Sequence, residues 1–425
     1  MQQLSDCYQA YVNILKDELI PVMGCTEPIA IAYACAVARE TLGSLPRHAS
    51  VWVSNNIIKN VKSVIVPNTG GLKGIRAAAA AGFAAGDSTK KLQVISAVSP
   101  AQRVQISEFL ESCPITVAPS DSDEIFDILV EAVNGTDNAR VRIVNFHTNL
   151  VLVEKNGEKL LELPVTGTTE EASGVSPLQV DKILDFANTV CLEDVHELIA
   201  RQITCNTAIS DEGLSGRWGA AIGKTLMDAY GDDIKVRARA RAAAGSDARM
   251  SGCELTVVIN SGSGNQGMTA SLPVIEYAKH LGCSEEQLYR ALVLSNLLTV
   301  HLKTGIGRLS AYCGAVSAGC AAGAAIAYLN GGGYEAVAHT LVNSLAIVSG
   351  IICDGAKPSC AAKIASAVDA GILGWQMYLS GHEFFGGDGI IRKGVEETIK
   401  TVSRVGRDGM CATDREIIQI MTETV

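Results

Sequence analysis

The residues most able to do chemistry in this sequence are its cysteines. Cys353 and Cys360 lie seven positions apart across Asp354-Gly355-Ala356-Lys357-Pro358-Ser359, and Cys313 and Cys320 repeat that spacing upstream in an Ala- and Gly-rich stretch. Clustered thiols in a chain with no sign of secretion point to a metal site or redox chemistry before disulfides. Residues seven apart on one helix share a face but lie about 10 Å apart along its axis, too far to be comfortable neighbours on one compact cluster. Gly355 and Pro358 relax that limit for the second pair, because they break a helix and let the loop wrap around a ligand. The simplest arrangement takes both loop cysteines and one from the facing helix, leaving one iron of an iron-sulfur cluster open. Two other readings stay open on spacing alone. One is zinc, for which no C-x-x-C or H-x-x-x-H pair is present; the other is four small core residues.

Cys25 lies just before a helix expected over 28–42, with Thr26 or Glu27 as a cap and Pro28 as its first residue. Unpaired N–H groups and the helix dipole there favour a thiolate, so a lowered thiol pKa is expected. A second polar cluster is Asn260-Ser261-Gly262-Ser263-Gly264-Asn265-Gln266-Gly267, which follows a strand-like run at 253–259. Its glycines match a dinucleotide fingerprint in spacing, but no βαβ unit follows. What remains is a loop of backbone N–H groups with Ser, Asn and Gln side chains at a helix start, suited to a substrate carboxylate. Gly70-Gly71-Leu72-Lys73-Gly74 lacks both phosphate-loop patterns and reads as a glycine turn.

The elements that must position these groups fall into two halves. Helices are expected at 7–20, 28–42, 74–86 and 99–112, with strands at 51–54, 61–66, 141–144, 150–153 and 159–163; Asn156-Gly157 marks a hairpin. From 177 onward the pattern is mostly helical, with helices at 177–190, 193–209, 215–230, 269–281, 285–302, 306–329, 333–349, 360–378 and 389–404. The expected fold class is α+β. A mixed α/β domain over 1–173 carries Cys25, and a mainly α-helical, cluster-binding domain spans 174–425.

Composition narrows the function. The 425 residues are 48% hydrophobic and 19% charged, enough for a large ordered core. A net charge of −10 with no basic patch excludes a nucleic-acid surface. The apolar run at 309–329 is built from small residues that gain little on insertion, so it reads as a core helix and no membrane partner is expected. The first residues carry no basic segment followed by an apolar run, so a cytoplasmic location is expected, with the thirteen cysteines as thiols or ligands. The expected partner is a small amino acid, and the expected assembly a homodimer.

Taken together, Gly24-Cys25-Thr26-Glu27-Pro28, Ser246-Asp247-Ala248-Arg249-Met250, the 260–267 loop, Arg308-Leu309-Ser310-Ala311 and Ile352-Cys353-Asp354-Gly355-Ala356 with Cys360 resemble the L-cysteine desulfidase family, also called serine dehydratase-like proteins. The helical half is similar to the α-domain of iron-sulfur L-serine dehydratases. The resemblance implies an oxygen-sensitive [4Fe-4S] lyase that converts L-cysteine to pyruvate, ammonia and sulfide without pyridoxal phosphate. By position, Cys313, Cys353 and Cys360 match its cluster cysteines and Cys25 its functional N-terminal cysteine, as a proton-transfer base or a displaceable fourth ligand. Cys320 has no counterpart. Matched polar positions include Ser54, Asn56, Lys59, Asn60, Thr69, His147 and Asn149. The expected substrate-binding set is Thr26, Glu27, Asn56, Lys59, His147, Asn149, Arg249, Asn260, Ser261, Gly262, Ser263, Asn265 and Gln266. The rival reactions are elimination from L-serine and, in a different class, a non-catalytic cluster-based sensor or ligand-binding protein.

Overall fold

Alternating buried and exposed residues build the sheet in the first half of the chain. The structure, a computed structural model, describes residues 2–165, 178–307 and 309–423; the expected domain boundary at 173 and Arg308 lie outside them. The order is α1 (Gln2–Glu18), β1 (Pro21–Met23), α2 (Thr26–Leu42), β2 (His48–Val53), α3 (Asn55–Val61), α4 (Gly74–Ala85), α5 (Pro100–Ser112), β3 (Ile115–Pro119), β4 (Asp127–Asn134), β5 (Asp137–Val144), β6 (Leu150–Lys155) and β7 (Glu158–Glu162). Strands two to seven form one sheet in the order β3-β2-β4-β5-β6-β7, parallel between β2 and β3 and antiparallel elsewhere. Ala49, Val51 and Val53 of β2 and Ile128, Val130 and Ala132 of β4 point to the same buried face, as the two-residue period requires. The apolar, Ala-rich α2 lies against β4 and β5 and packs on α4. Asn156 and Gly157, both at positive φ, make the tight β6–β7 turn.

The second half continues with α6 (Val180–Thr189), α7 (His196–Gly213), α8 (Ile222–Tyr230), α9 (Ile234–Met250), β8 (Thr256–Val258), α10 (Gly264–Leu281), α11 (Glu285–Thr304), α12 (Gly314–Leu329), α13 (Tyr334–Val348), α14 (Cys360–Leu379), α15 (Val395–Arg404) and α16 (Cys411–Glu423). The buried α12 is at the centre, in contact with α10, α11, α13 and α14. Small residues allow this. A Cβ at Gly323 would stand 2.5 Å from the Gly371 carbonyl oxygen, so these two backbones touch and any side chain there would part α12 from α14. No helix among the described residues is long and apolar enough to cross a membrane.

The expected α+β class is the one observed, and several local expectations change, among them the helices expected at 215–230 and 389–404, which begin at Ile222 and Val395. Residues 61–66 do not make a strand: Val61 ends α3, and Ile65 forms only an isolated bridge to Lys73. The helix expected at 306–329 begins at Gly314, leaving 309–313 outside the helix for other contacts. The helix α9 is absent from the sequence-based expectation because Arg237, Arg239 and Arg241 alternate with alanines and mimic a strand period. Its alanines are buried, while Arg237 and Arg241 lie 3.7 and 3.5 Å from Glu276 and Arg239 lies 2.9 Å from Asp369.

One contact joins the halves next to the chemistry. β1 pairs antiparallel with β8, Pro21 opposite Val258 and Met23 opposite Thr256. The start of α2 is thereby set beside the start of α10.

Candidate functional site

A cleft enclosing about 860 Å³ of empty space, open mouth included, lies where these segments meet. Cys25, Cys313, Cys353 and Cys360 all line it, although they come from opposite ends of the chain. Cys25 is the N-cap of α2, Cys313 the N-cap of α12, and Cys360 the first residue of α14. Three helix starts therefore aim partial positive charge at one cleft, a setting that favours anionic sulfur or an anionic ligand.

Backbone pairing sets the second pair of thiols. Tyr312 bridges Ile352 antiparallel, with the Cys353 N–H donating to Ala311 O at 2.6 Å and the Cys313 N–H donating to Ile351 O at 3.1 Å. Cys353 then enters the loop that returns at Cys360. Lys357 and Lys363 both pair with Asp354, and Lys363 Nζ donates to Ile352 O at 2.9 Å, so the loop is tied internally. Burial pushes the Cys313 thiol up to about 12, with Cys353 and Cys360 adding to the rise. Burial also raises Cys360, against the lowering effect of Lys357 and Lys363. Cys320 is fully buried inside α12 and absent from the cleft wall.

Gly355 is the tightest point of this loop. It sits at φ +90°, and a Cβ there would lie 2.4 Å from the Lys59 carbonyl oxygen. Gly355→Ala is therefore expected to destabilise the protein by about 1–3 kcal/mol through strain and collision. A fall in thermal midpoint, accompanied by weaker metal retention, checks this.

Cys25 faces a carboxylate. Its Sγ donates to Glu27 Oε2 at 3.0 Å, Thr26 Oγ1 donates to the same oxygen at 3.0 Å, and Asn60 Nδ2 donates to Oε1 at 3.0 Å. Burial and the Glu27 charge hold the Cys25 thiol well above its ordinary value, with Arg249 opposing them. The expectation of a lowered thiol pKa is thus corrected: the helix start is present, but burial and the neighbouring carboxylate outweigh it. For Glu27, burial raises the carboxyl, yet His147, the Cys25 thiol, its own backbone N–H and Arg249 together hold it below the usual range. The resting pair is a neutral thiol hydrogen-bonded to a carboxylate.

The 260–263 loop is a tight turn, with Asn260 and Ser263 exchanging backbone hydrogen bonds and Ser261 and Gly262 at positive φ. Arg249 ties it to α2: its Nε donates to Gly24 O at 3.0 Å and its Nη1 to Asn265 Oδ1 at 3.1 Å. Thr26 Oγ1 also lies 2.9 Å from Gly262 O, the alternative acceptor for its single hydroxyl proton.

Of the expected binding residues, Glu27, Lys59, His147, Arg249, Ser261, Gly262, Ser263, Asn265 and Gln266 line the cleft. Thr26 acts one step behind it, through Glu27 and Gly262. Asn260 is also behind the wall, donating to Asn296 Oδ1 at 2.9 Å and accepting from the Ser261 hydroxyl at 2.8 Å. Asn149 donates to Val144 O at 2.9 Å to hold the turn between β5 and β6, and Asn56 lies on α3 outside the lining. Sequence reasoning overlooked the lining residues Phe126, Lys303 and Tyr312, and named Ser310 and Asn60 without giving either a role. Lys303 lies in the last turn of α11 and is buried. The C-terminal helix was also unforeseen: Asp414 of α16 forms an ion pair with the buried Lys59.

Among the described residues, no three His, Cys, Asp or Glu side chains are arranged to hold a single metal ion. The soft sulfur donors of Cys313, Cys353 and Cys360 nevertheless line one cleft, and they are the donor type that selects iron-sulfur clusters or zinc.

Fold and cleft define an α+β protein with a thiol-lined site at the junction of sheet and helices. Residues 75–419 match the serine dehydratase alpha chain family, and the chain belongs to that family. It is 58% identical over 427 aligned residues to a UPF0597 protein of Desulfitobacterium hafniense, covering 99% of this chain and 98% of the relative. It is 49% identical to a UPF0597 protein of Lachnoclostridium phytofermentans (97% of this chain, 99% of the relative) and 48% identical to one of Finegoldia magna (97% and 99%).

Proposed function

We propose that the protein is a lyase that splits L-cysteine into pyruvate, ammonia and sulfide, using a [4Fe-4S] cluster held by Cys313, Cys353 and Cys360. The observation that carries this reading is that these three thiols share one cleft with the Cys25–Glu27 pair. Family membership supports elimination from a β-substituted amino acid. The donor set fits a multi-iron group better than a single ion, because a cluster spreads its thiolates over several corners. When bound, the cluster supplies an open iron that acts as a Lewis acid.

The remaining steps belong to the chain's own residues. Arg249 and the 261–263 turn orient the substrate carboxylate, and the helix starts add electrostatic support. Glu27 accepts the Cys25 proton along their 3.0 Å hydrogen bond, and the resulting thiolate takes the proton from the substrate Cα. The electron pair of that C–H bond forms the Cα–Cβ double bond as the Cβ–S bond breaks, and the leaving sulfur takes up the proton held by Glu27, which returns the pair to thiol and carboxylate. The aminoacrylate produced then hydrolyses in water to pyruvate and ammonia.

L-Serine differs from L-cysteine only in the leaving atom, and the family's description favours it as the alternative substrate. Anaerobically purified protein is expected to contain iron and acid-labile sulfide and to release sulfide and pyruvate from L-cysteine. One pyruvate assay on both amino acids ranks them. A protein that contains a cluster but turns over neither would overturn the lyase reading in favour of a sensor.

A further inference from the structure

Three buried oxygens in the cleft wall have no partner, the Tyr312 hydroxyl and two amide carbonyls, and the carbonyls can only accept. Asn60 is 7% exposed and Gln266 5% exposed, and both line the cleft. Asn60 Oδ1 and Gln266 Oε1 have no hydrogen-bond partner. Unmade buried acceptors are unfavourable enough that native proteins rarely keep them without a use.

Neighbouring groups hold both side chains. A carboxylate can only accept, so Asn60 must turn its NH2 group to Glu27 Oε1, at 3.0 Å, and its carbonyl oxygen away from Glu27. Gln266 packs flat on the start of α12, where a Cβ at Gly314 would lie 2.5 Å from its Cδ. Asn60 Oδ1 thus stands beside the Glu27 carboxylate, and Gln266 Oε1 lines the same cleft, whose donors include Arg249, Lys59 and Lys303.

We infer that Asn60, together with Gln266, binds the α-ammonium group of the substrate. An ammonium presents three N–H donors and no acceptor, which complements an amide oxygen beside a carboxylate and a second amide oxygen in the same cleft. The arrangement also gives a reason for selecting amino acids over their desamino analogues, whose Cα carries nothing to donate to this wall. The inference rests on the amino-acid lyase reading and assigns one end of the substrate within it.

Two thiol probes separate the ends of the substrate: cysteamine keeps the ammonium and lacks the carboxylate, and 3-mercaptopropionate keeps the carboxylate and lacks the ammonium. Their dissociation constants are measured by calorimetry on anaerobically purified protein. Asn60→Ala is expected to weaken cysteamine about tenfold or more while leaving 3-mercaptopropionate within about twofold. Gln266→Met, which keeps the length of the side chain and removes the oxygen, gives the same pattern without touching Glu27. Equal weakening of both probes, or of neither, in the two variants overturns the ammonium assignment, and sulfide release from L-cysteine by the unaltered protein would leave the reaction standing. Unaltered protein that binds neither probe and releases no sulfide overturns both.

Discussion

Replacing Cys353 with alanine is expected to remove iron, acid-labile sulfide, the visible absorption of the cluster and the lyase activity together. Cys353 is held by its backbone through the bond to Ala311 O, and its side chain is only half-buried in the cleft wall. The substitution therefore leaves the bridge between 311–313 and 351–353 intact and deletes only sulfur. Two remaining thiols, Cys313 and Cys360, are too few to retain a four-iron group. Changing a second-sphere partner of a metal ligand already costs about 10–100-fold in affinity or activity, so losing a ligand is expected to leave less than about one per cent. Cys320→Ala is the matched control. Its thiol is fully buried within α12 and outside the cleft, so that variant keeps its cluster and loses only the stability of a small cavity, about 1 kcal/mol. If the four cysteines were merely core residues, the Cys320 change would do the greater harm, because it is the more buried of the two. Full activity in cluster-free Cys353→Ala protein would refute the proposed cofactor.

What could be read from the sequence depended on whether the physics was local. The 353–360 loop was legible because Gly355 and Pro358 cannot continue a helix, and the β6–β7 turn because Asn156-Gly157 fits positive φ. The helix α9 was not, since a period of two in Arg and Ala imitates a strand while the packing that makes it helical comes from α7, α10 and α14. The start of α12 was placed too early for a similar reason. Tyr312 is drawn into a bridge by Ile352, a partner distant in sequence. Within the site, Cys25 was recognisable from its place before a helix, but its protonation was not. Burial and Glu27 are properties of the folded chain. Asn60, Lys303 and Asp414 carry no local motif and meet the cleft only through tertiary contacts.

Cys25→Ala is expected to separate proton transfer from cluster binding. The thiol is buried and donates to Glu27, whose other contacts from Thr26 and Asn60 remain when the sulfur is removed. The carboxylate therefore keeps two of its supports, and the fold should tolerate the change with a loss of about 1 kcal/mol. As the group proposed to take the Cα proton, Cys25 is expected to contribute about 10²–10⁴-fold to turnover, the usual range for a positioned acid or base. Iron and sulfide content should stay at the wild-type level. Cys25→Ser sharpens the result, because a hydroxyl can restore the hydrogen bond to Glu27 but ionises far less readily than a thiol. Serine is expected to recover stability and leave turnover low, which a purely structural role for Cys25 would not produce. Glu27→Gln completes the argument: the amide keeps the shape but cannot take the Cys25 proton, so its loss of turnover should match that of Cys25→Ala, and the double variant should be no worse than either. Additive losses would mean that the two act independently. Loss of iron in parallel with activity in Cys25→Ala would make Cys25 a cluster ligand and remove it from the proton path.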